Sequence, residues 1–291
     1  LRTSATASPS FPEFVALIAL MMGVTAFSID NLLPAFDVIR ARFRVENPND
    51  VQILVYGYMV AFALAQMAYG PVSDIVGRRP VLLVGLAIFT AGSVLAMVAP
   101  SFEVLIAARV IQGIGTAAAR VLAVAIVRDR FEGREMARVM SLAMMVFLTV
   151  PIFAPAIGSA LLLVGSWPTV FASMLVLGLV LGLWFGMRMP ETLHPEFRFP
   201  FSFARIADAL RLTVSTRIST GYATAVGLML ACVMAYVGSA QQILETTVYG
   251  LGSVFSIYFG LVAAVMGLGS LLNSQLVRRI GMRRLSHSAI C

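Results

Sequence analysis

The sequence predicts an all-α membrane protein: six spanning helices, a linker, and two further spans. Three observations carry that prediction. Hydrophobic residues make up 59% of the 291-residue chain and charged ones only 12%, whereas an ordinary soluble domain carries about 25% charged residues. Mean hydropathy is +0.92. The apolar residues also gather into runs of roughly 20, the length an α-helix needs to cross the hydrocarbon core, separated by short segments that hold most of the Arg.

The runs lie near 14–36, 51–71, 80–99, 103–127, 139–164, 167–187, 219–241 and 253–277. The first ten residues, LRTSATASPS, carry one charged side chain, Arg2. The run that follows is too long for a cleaved leader, so the first span is expected to be retained. All 21 basic residues are Arg, against 14 acidic ones. With the N-terminus in the cytoplasm, 16 of these arginines fall in cytoplasmic segments, and only Arg40, Arg42 and Arg44 fall outside. Cytoplasmic loops collect basic residues, so that orientation is predicted.

The longest break, 188–218, holds Pro190, Pro195, Pro200 and five arginines. It divides the chain into a six-helix bundle over 1–187, a cytoplasmic linker over 188–218, and a partial second bundle over 219–291 with two helices and a basic loop. An internal echo agrees: SQLVRRIGMRRL after the eighth span resembles SDIVGRRPVLL after the second.

Several functional classes are excluded. The net charge of +7 is dispersed between apolar runs and is not gathered on a soluble face, which argues against nucleic-acid binding. Two cysteines, Cys232 and Cys291, and two histidines, His194 and His287, form neither a disulfide framework nor a metal cluster. No nucleophile, base and orienting group stand together, so an enzyme is not expected.

The charges inside the apolar runs are the informative ones. Asp30 lies about 16 residues into the first span, roughly 24 Å along the helix and within a core about 30 Å thick. An ionised carboxylate is costly at that depth, and such a group is suited to carrying a proton. Arg109 lies about 6 residues, roughly 9 Å, from the start of the fourth span, and on the same ruler the two charges share a depth. They are expected to pair when neither proton nor cargo is bound. Arg109, Gln112, Thr116 and Arg120 recur on one face of that helix, where polar side chains are expected to line a cavity; Arg120 alternatively snorkels to the cytoplasmic surface.

GIGTAA on the same helix matches a dinucleotide-binding pattern, but no strand precedes it. Gly113, Gly115 and Ala117–Ala119 are instead expected to allow close helix packing. Pro151, Pro155 and Gly158 should bend the fifth span. Met144 and Met145 precede that bend and would offer a soft lining to apolar molecules.

The stretch YGPVSDIVGRRPVLL between the second and third spans places Gly70 and Gly77 where the chain must turn. Asp74 there is placed to meet a helix N-terminus or to pair with Arg78. With the six-plus-two division, Gly70, Asp74, Gly77, Arg78 and Arg79 resemble the signature loop of the major facilitator superfamily, a fold of two six-helix halves around a central cavity. The longer run VQILVYGYMVAFALAQMAYGPVSDIVGRRPVLLVG resembles the Bcr/CflA drug-resistance group of that superfamily. SIDNLLPAF, with Asp30 and Pro34, is similar to its first-helix motif, and RVIQGIGTAAA, through Arg109, Gln112, Gly113 and Gly115, to its fourth-helix motif. APAIGS, through Pro155 and Gly158, resembles its antiporter motif, and PETL at 190–193 its usual end of helix six. The chain departs from the pattern at Ala154 and Ser159, at Leu32 and at Ile75.

The resemblance implies a proton-coupled antiporter of a bacterial inner membrane, working by alternating access and exporting amphipathic antibiotics, chloramphenicol-like or bicyclomycin-like compounds among them. It implies proton coupling through Asp30 and Arg109; a substrate cavity with Gln112, Thr116, Arg120, Met144, Met145 and Pro155; a gate in which Asp74, Arg78 and Asp129 form a charge relay; and no cofactor beyond the proton gradient. The expected partners are lipid, drug and protons, and the expected state is a monomer. The family pattern has twelve spans, so the last four helices are expected to be lacking here. A proton-coupled metabolite carrier and a non-transporting remnant are the alternative readings.

Overall fold

The computed structural model describes residues 9–194, 196, 211–212, 214–241, 243, 257–262, 264–265 and 268–269. The described residues form helices and no strands, and seven segments are long and apolar enough to cross a membrane. The eighth run, 253–277, falls largely outside the described residues; those described within it are helical.

The first span is longer than its apolar run and is broken. α1 (Phe11–Asp30) starts after Ser10, with Pro12 in its first turn. The α-helical ladder stops at Asn31, and a 3-10 turn over Leu33–Ala35 leads into α2 (Phe36–Phe43). Pro34 explains the break, because it has no N–H to offer the Asp30 carbonyl. The backbone instead closes tighter loops, Leu32 N–H to Ile29 O at 3.2 Å and Ala35 N–H to Leu32 O at 2.9 Å. Arg44 ends α2 in the left-handed region at φ 54°.

A 3-10 turn over Pro48–Gln52 precedes α3 (Ile53–Val76), and α4 (Arg78–Met97) follows after a single residue. That residue is Gly77, with φ 113°, a conformation that L side chains rarely adopt. The signature stretch is therefore hardly a loop. Gly70, expected at the turn, lies inside α3, where its carbonyl accepts the Ser73 hydroxyl at 2.8 Å.

α5 (Phe102–Arg130) starts at Ser101, whose hydroxyl accepts the Val104 N–H at 3.4 Å. α6 (Gly133–Val164), α7 (Pro168–Arg188) and α8 (Arg217–Gln241) complete the order. α6 carries Pro151 and Pro155 one turn apart, so the carbonyls one turn before each lose their intrahelical donors.

α5 is the centre of the bundle, packed on α3 and α4 along its length and also on α1; α1 in turn packs on α6, and α4 on α7. Lipid-embedded helices gain no hydrophobic drive from meeting one another, so association rests on close fit. Glycine supplies that fit. A Cβ at Gly115 would overlap the Gly85 carbonyl and the Phe89 amide of α4, and one at Gly113 the Tyr58 carbonyl of α3. The packing role expected for GIGTAA is thus visible as two glycines serving two neighbouring helices.

Candidate functional site

Polar side chains gather in two places, one at an end of the bundle and one in its interior. The end cluster forms around Arg78, the first residue of α4, whose side chain is only 4% exposed. Its Nη1 reaches Asp74 Oδ1 at 2.6 Å and donates to Ser73 Oγ at 2.5 Å, both on the last turns of α3. Its Nε donates to Asp129 Oδ2, near the end of α5, at 3.0 Å. One guanidinium therefore ties together the ends of three helices, and the three charged residues named from the sequence do meet.

The sequence reading missed the fourth member. Glu191, just beyond α7, accepts the backbone N–H of Arg78 at 2.9 Å and of Arg79 at 3.2 Å. It caps α4, whose own N-cap, Gly77, has no side chain to do so. A carboxylate at this position also opposes the positive end of the helix dipole. Thr192 donates to Asp129 Oδ2 at 3.2 Å, and Arg79 Nη2 to the Gly186 carbonyl at 2.6 Å. The helix-terminus role foreseen for Asp74 therefore belongs to Glu191, while Asp74 pairs with Arg78. PETL is the signal that held this information, but nothing local says which helix its acid will cap.

At the same end Glu13 holds α7 to α1. Its two carboxylate oxygens accept Arg188 Nε at 2.6 Å and Nη2 at 2.8 Å, and Oε1 also accepts Trp184 Nε1 at 3.1 Å.

The interior cluster centres on Arg109, which is fully buried. Its Nε donates to the Leu54 carbonyl at 3.0 Å and its Nη1 to Gln112 Oε1 at 2.8 Å, and its Cζ lies 4.4 Å from the centre of the Tyr58 ring. Gln112 Nε2 passes the chain on to Ser93 Oγ of α4 at 2.8 Å, and Ser93 to the Phe89 carbonyl at 2.9 Å. Thr116 Oγ1 is 2.6 Å from the Tyr58 hydroxyl. Thr25 and Ser28 of α1 lie beside that same hydroxyl.

Gln112 and Thr116, expected on a cavity wall, are fully buried against neighbouring helices in this structure. A polar face at helical spacing can be met by polar groups of neighbouring helices as well as by water, and here α3, α4 and α7 meet it. Arg120 is partly buried, with its Cζ 5.1 Å from the centre of the Phe147 ring of α6, so it turns toward a neighbouring helix in the manner of a cation–π contact. Met144 and Met145 of α6 are exposed, while Pro155 and Gly158 are buried. Gly158 abuts the Asn31 carbonyl at the break in the first span, and Asn31 Nδ2 donates to Ser173 Oγ of α7 at 2.9 Å.

Asp30 is buried, at 5% exposure, in the last turn of α1. Among the described residues its carboxylate makes no ion pair and no hydrogen bond, and Arg109 makes no ion pair. The two charges assigned to one depth are not joined in this structure. Arg109 is held by α3, and Asp30 stays buried in the last turn of α1.

The sequence profile of the Major Facilitator Superfamily matches residues 17–290. The MFS-type transporter YdgK of Bacillus subtilis is 34% identical over 94% of this chain and 68% of its own length. The bicyclomycin resistance protein homolog of Haemophilus influenzae is 27% identical over 95% of this chain and 69% of its own. Multidrug resistance protein D of Escherichia coli is 37% identical over 74% of this chain and 50% of its own. The chain thus spans about half to two-thirds of the length of these relatives. Among solved structures, the human organic anion transporter MFSD10 superposes with a TM-score of 0.69 at 18% identity, covering 89% of this chain and 71% of that one. The Escherichia coli xylose transporter XylE gives 0.67 at 14%, covering 93% and 72%. At these identities the two structures speak to the fold.

Proposed function

Because this chain belongs to the major facilitator superfamily of membrane transporters, we propose that it acts in a proton-coupled antiporter that exports amphipathic compounds across a bacterial inner membrane. The observation that carries this reading is Asp30: a carboxylate buried in a spanning helix, with no partner among the described residues. Ionisable groups inside a membrane are costly and mark ion pathways. A proton neutralises Asp30 without any other rearrangement, which makes it the natural coupling group. The drug-resistance names of two relatives support the class of cargo.

In this reading Asp30 carries the proton, and Arg109 is released from its neutral partners to meet the carboxylate when the proton leaves. The chain's own groups divide the remaining work. The Asp74–Arg78–Asp129 cluster latches one end of the bundle, the cytoplasmic end if the N-terminus lies inside, and must open when that end opens. Met144 and Met145, exposed on α6, offer apolar contact to cargo. With a linker over 188–218, as the sequence leads one to expect, the latch partner Glu191 would fall at its start, where movement of a second bundle would be felt.

The test uses the full carrier in inverted membrane vesicles, following uptake of a fluorescent amphipathic dye driven by an imposed proton gradient. Uptake that collapses with an uncoupler and is abolished by Asp30→Asn is the expected result. Gradient-driven uptake unchanged in Asp30→Asn would overturn the proposal.

A further inference from the structure

A buried guanidinium needs a holder, and Arg109 has an unusual one. Removing a cation from water costs several kcal/mol unless it is paired, yet among the described residues no carboxylate lies within ion-pair distance of it. Its partners are all neutral: the Leu54 carbonyl, the Gln112 amide oxygen and the face of Tyr58. Among the described residues Nη2 has no hydrogen-bond partner. The cation is therefore restrained without being neutralised, and one donor is left free.

The Tyr58 ring is itself fixed on every side. Its residue is fully buried. The Tyr58 hydroxyl shares a hydrogen bond with Thr116 Oγ1 at 2.6 Å, and that oxygen also lies 3.0 Å from the Gln112 carbonyl. Its backbone carbonyl sits in the notch that Gly113 leaves on α5. Phe62, one turn on, stacks nearly parallel at 6.2 Å between centroids. Leu54, which supplies the carbonyl, is one turn before Tyr58, so a single stretch of α3 presents both a dipole and a π face to the same cation.

We propose that Tyr58 is a positioning residue for transport: with the Leu54 carbonyl, its ring parks the Arg109 guanidinium on α3, apart from Asp30, and so governs how readily the two opposite charges come together during the cycle. A carboxylate in its place would trap the cation. An aromatic face holds it, then lets it go without leaving an unpaired negative charge behind. The inference rests on the coupling role of Asp30 and Arg109 given above, and it adds a residue that the sequence motifs do not mark.

The experiment replaces Tyr58 by Phe and then by Phe carrying one, two and three ring fluorines, which drains the π face while keeping its shape. Ethidium efflux by the full carrier is followed in vesicles, together with Tyr58→Leu. Tyr58→Phe is expected to keep at least half of the turnover, the fluorinated series to fall stepwise, and Tyr58→Leu to lose roughly ten-fold, with KM for ethidium within about two-fold throughout. A flat fluorine series overturns the proposal, and so does a KM that rises while turnover holds, since that would make Tyr58 a cargo contact. Melting of the purified carrier provides a readout independent of transport: the effect of trifluorination is expected to vanish in an Arg109→Gln background, and additive effects overturn the proposal. A flat series with Asp30→Asn inactive defeats the Tyr58 role alone, whereas active Asp30→Asn defeats the coupling reading beneath it.

Discussion

Glu191 caps a helix that begins more than a hundred residues before it, accepting the amide of Arg78 at 2.9 Å and that of Arg79 at 3.2 Å. The same carboxylate also accepts the amides of Thr192 and Leu193, each at 3.0 Å, which fixes the chain just beyond α7 as it leaves the bundle. Glu191→Ala is expected to destabilise the carrier by about 1–2 kcal/mol, through loss of a cap and of its dipole interaction. Glu191→Gln keeps an acceptor and should lose about half as much. Melting of the purified protein in detergent checks both.

Arg78 and Asp129 are both shielded, with side chains 4% and 14% exposed. Breaking a pair of that kind from one side leaves an uncompensated charge and costs about 3–5 kcal/mol, while replacing both partners by apolar groups costs far less. Arg78→Met strips the shielded Asp129 of its cation and should therefore melt well below Arg78→Met with Asp129→Leu together, whereas Asp129→Leu alone leaves Arg78 its pair with Asp74 at 2.6 Å and should cost less. A double-mutant cycle on melting temperature measures the coupling, and additive losses would count against the latch.

The glycines differ sharply in what surrounds them. Gly115→Ala drives a Cβ into the Gly85 carbonyl and the Phe89 amide and should cost about 1–3 kcal/mol. Gly227→Ala lies mid-helix in α8 with open space around the new methyl and should stabilise by about 0.5–1 kcal/mol. Thermal melts of the two variants should move in opposite directions.

Gly158 is the point where α6 touches the break in the first span. Gly158→Ala places a methyl against the Asn31 carbonyl, a backbone atom with little room to yield, and should cost about 1–3 kcal/mol. Hydrogen exchange should report faster opening around residues 31–35, and exchange confined to α6 would contradict this.

Seven spans were legible in the sequence because lipid demands long apolar runs and charge marks their ends. The Asp74–Arg78–Asp129 meeting was also foreseeable, since resemblance brought distant charges together. Other features were not. The first span was read as one helix because its run is apolar apart from a few positions such as Asp30 and Asn31, although Pro34 already forbade a continuous ladder. The Glu191 cap and the Tyr58 holder depend on contacts across 113 and 51 residues, which no local pattern encodes. Gln112 and Thr116 were assigned to a cavity because spacing shows which face is polar and says nothing of what lies opposite it.

Gly77 joins α3 to α4 with one residue, and both helices lie along α5 with backbone against backbone. Helices so linked resist sliding past one another and form one piece along their packed length, able to part only at the Asp74–Arg78–Asp129 end. Arg109, Tyr58, Gln112, Thr116 and Ser93 are all passengers on that piece, whereas Asp30 rides on α1, outside it. Any stroke of the carrier that brings Asp30 and Arg109 together is then a motion of one block against its neighbours, with the slip plane running along the border that α1 shares with it.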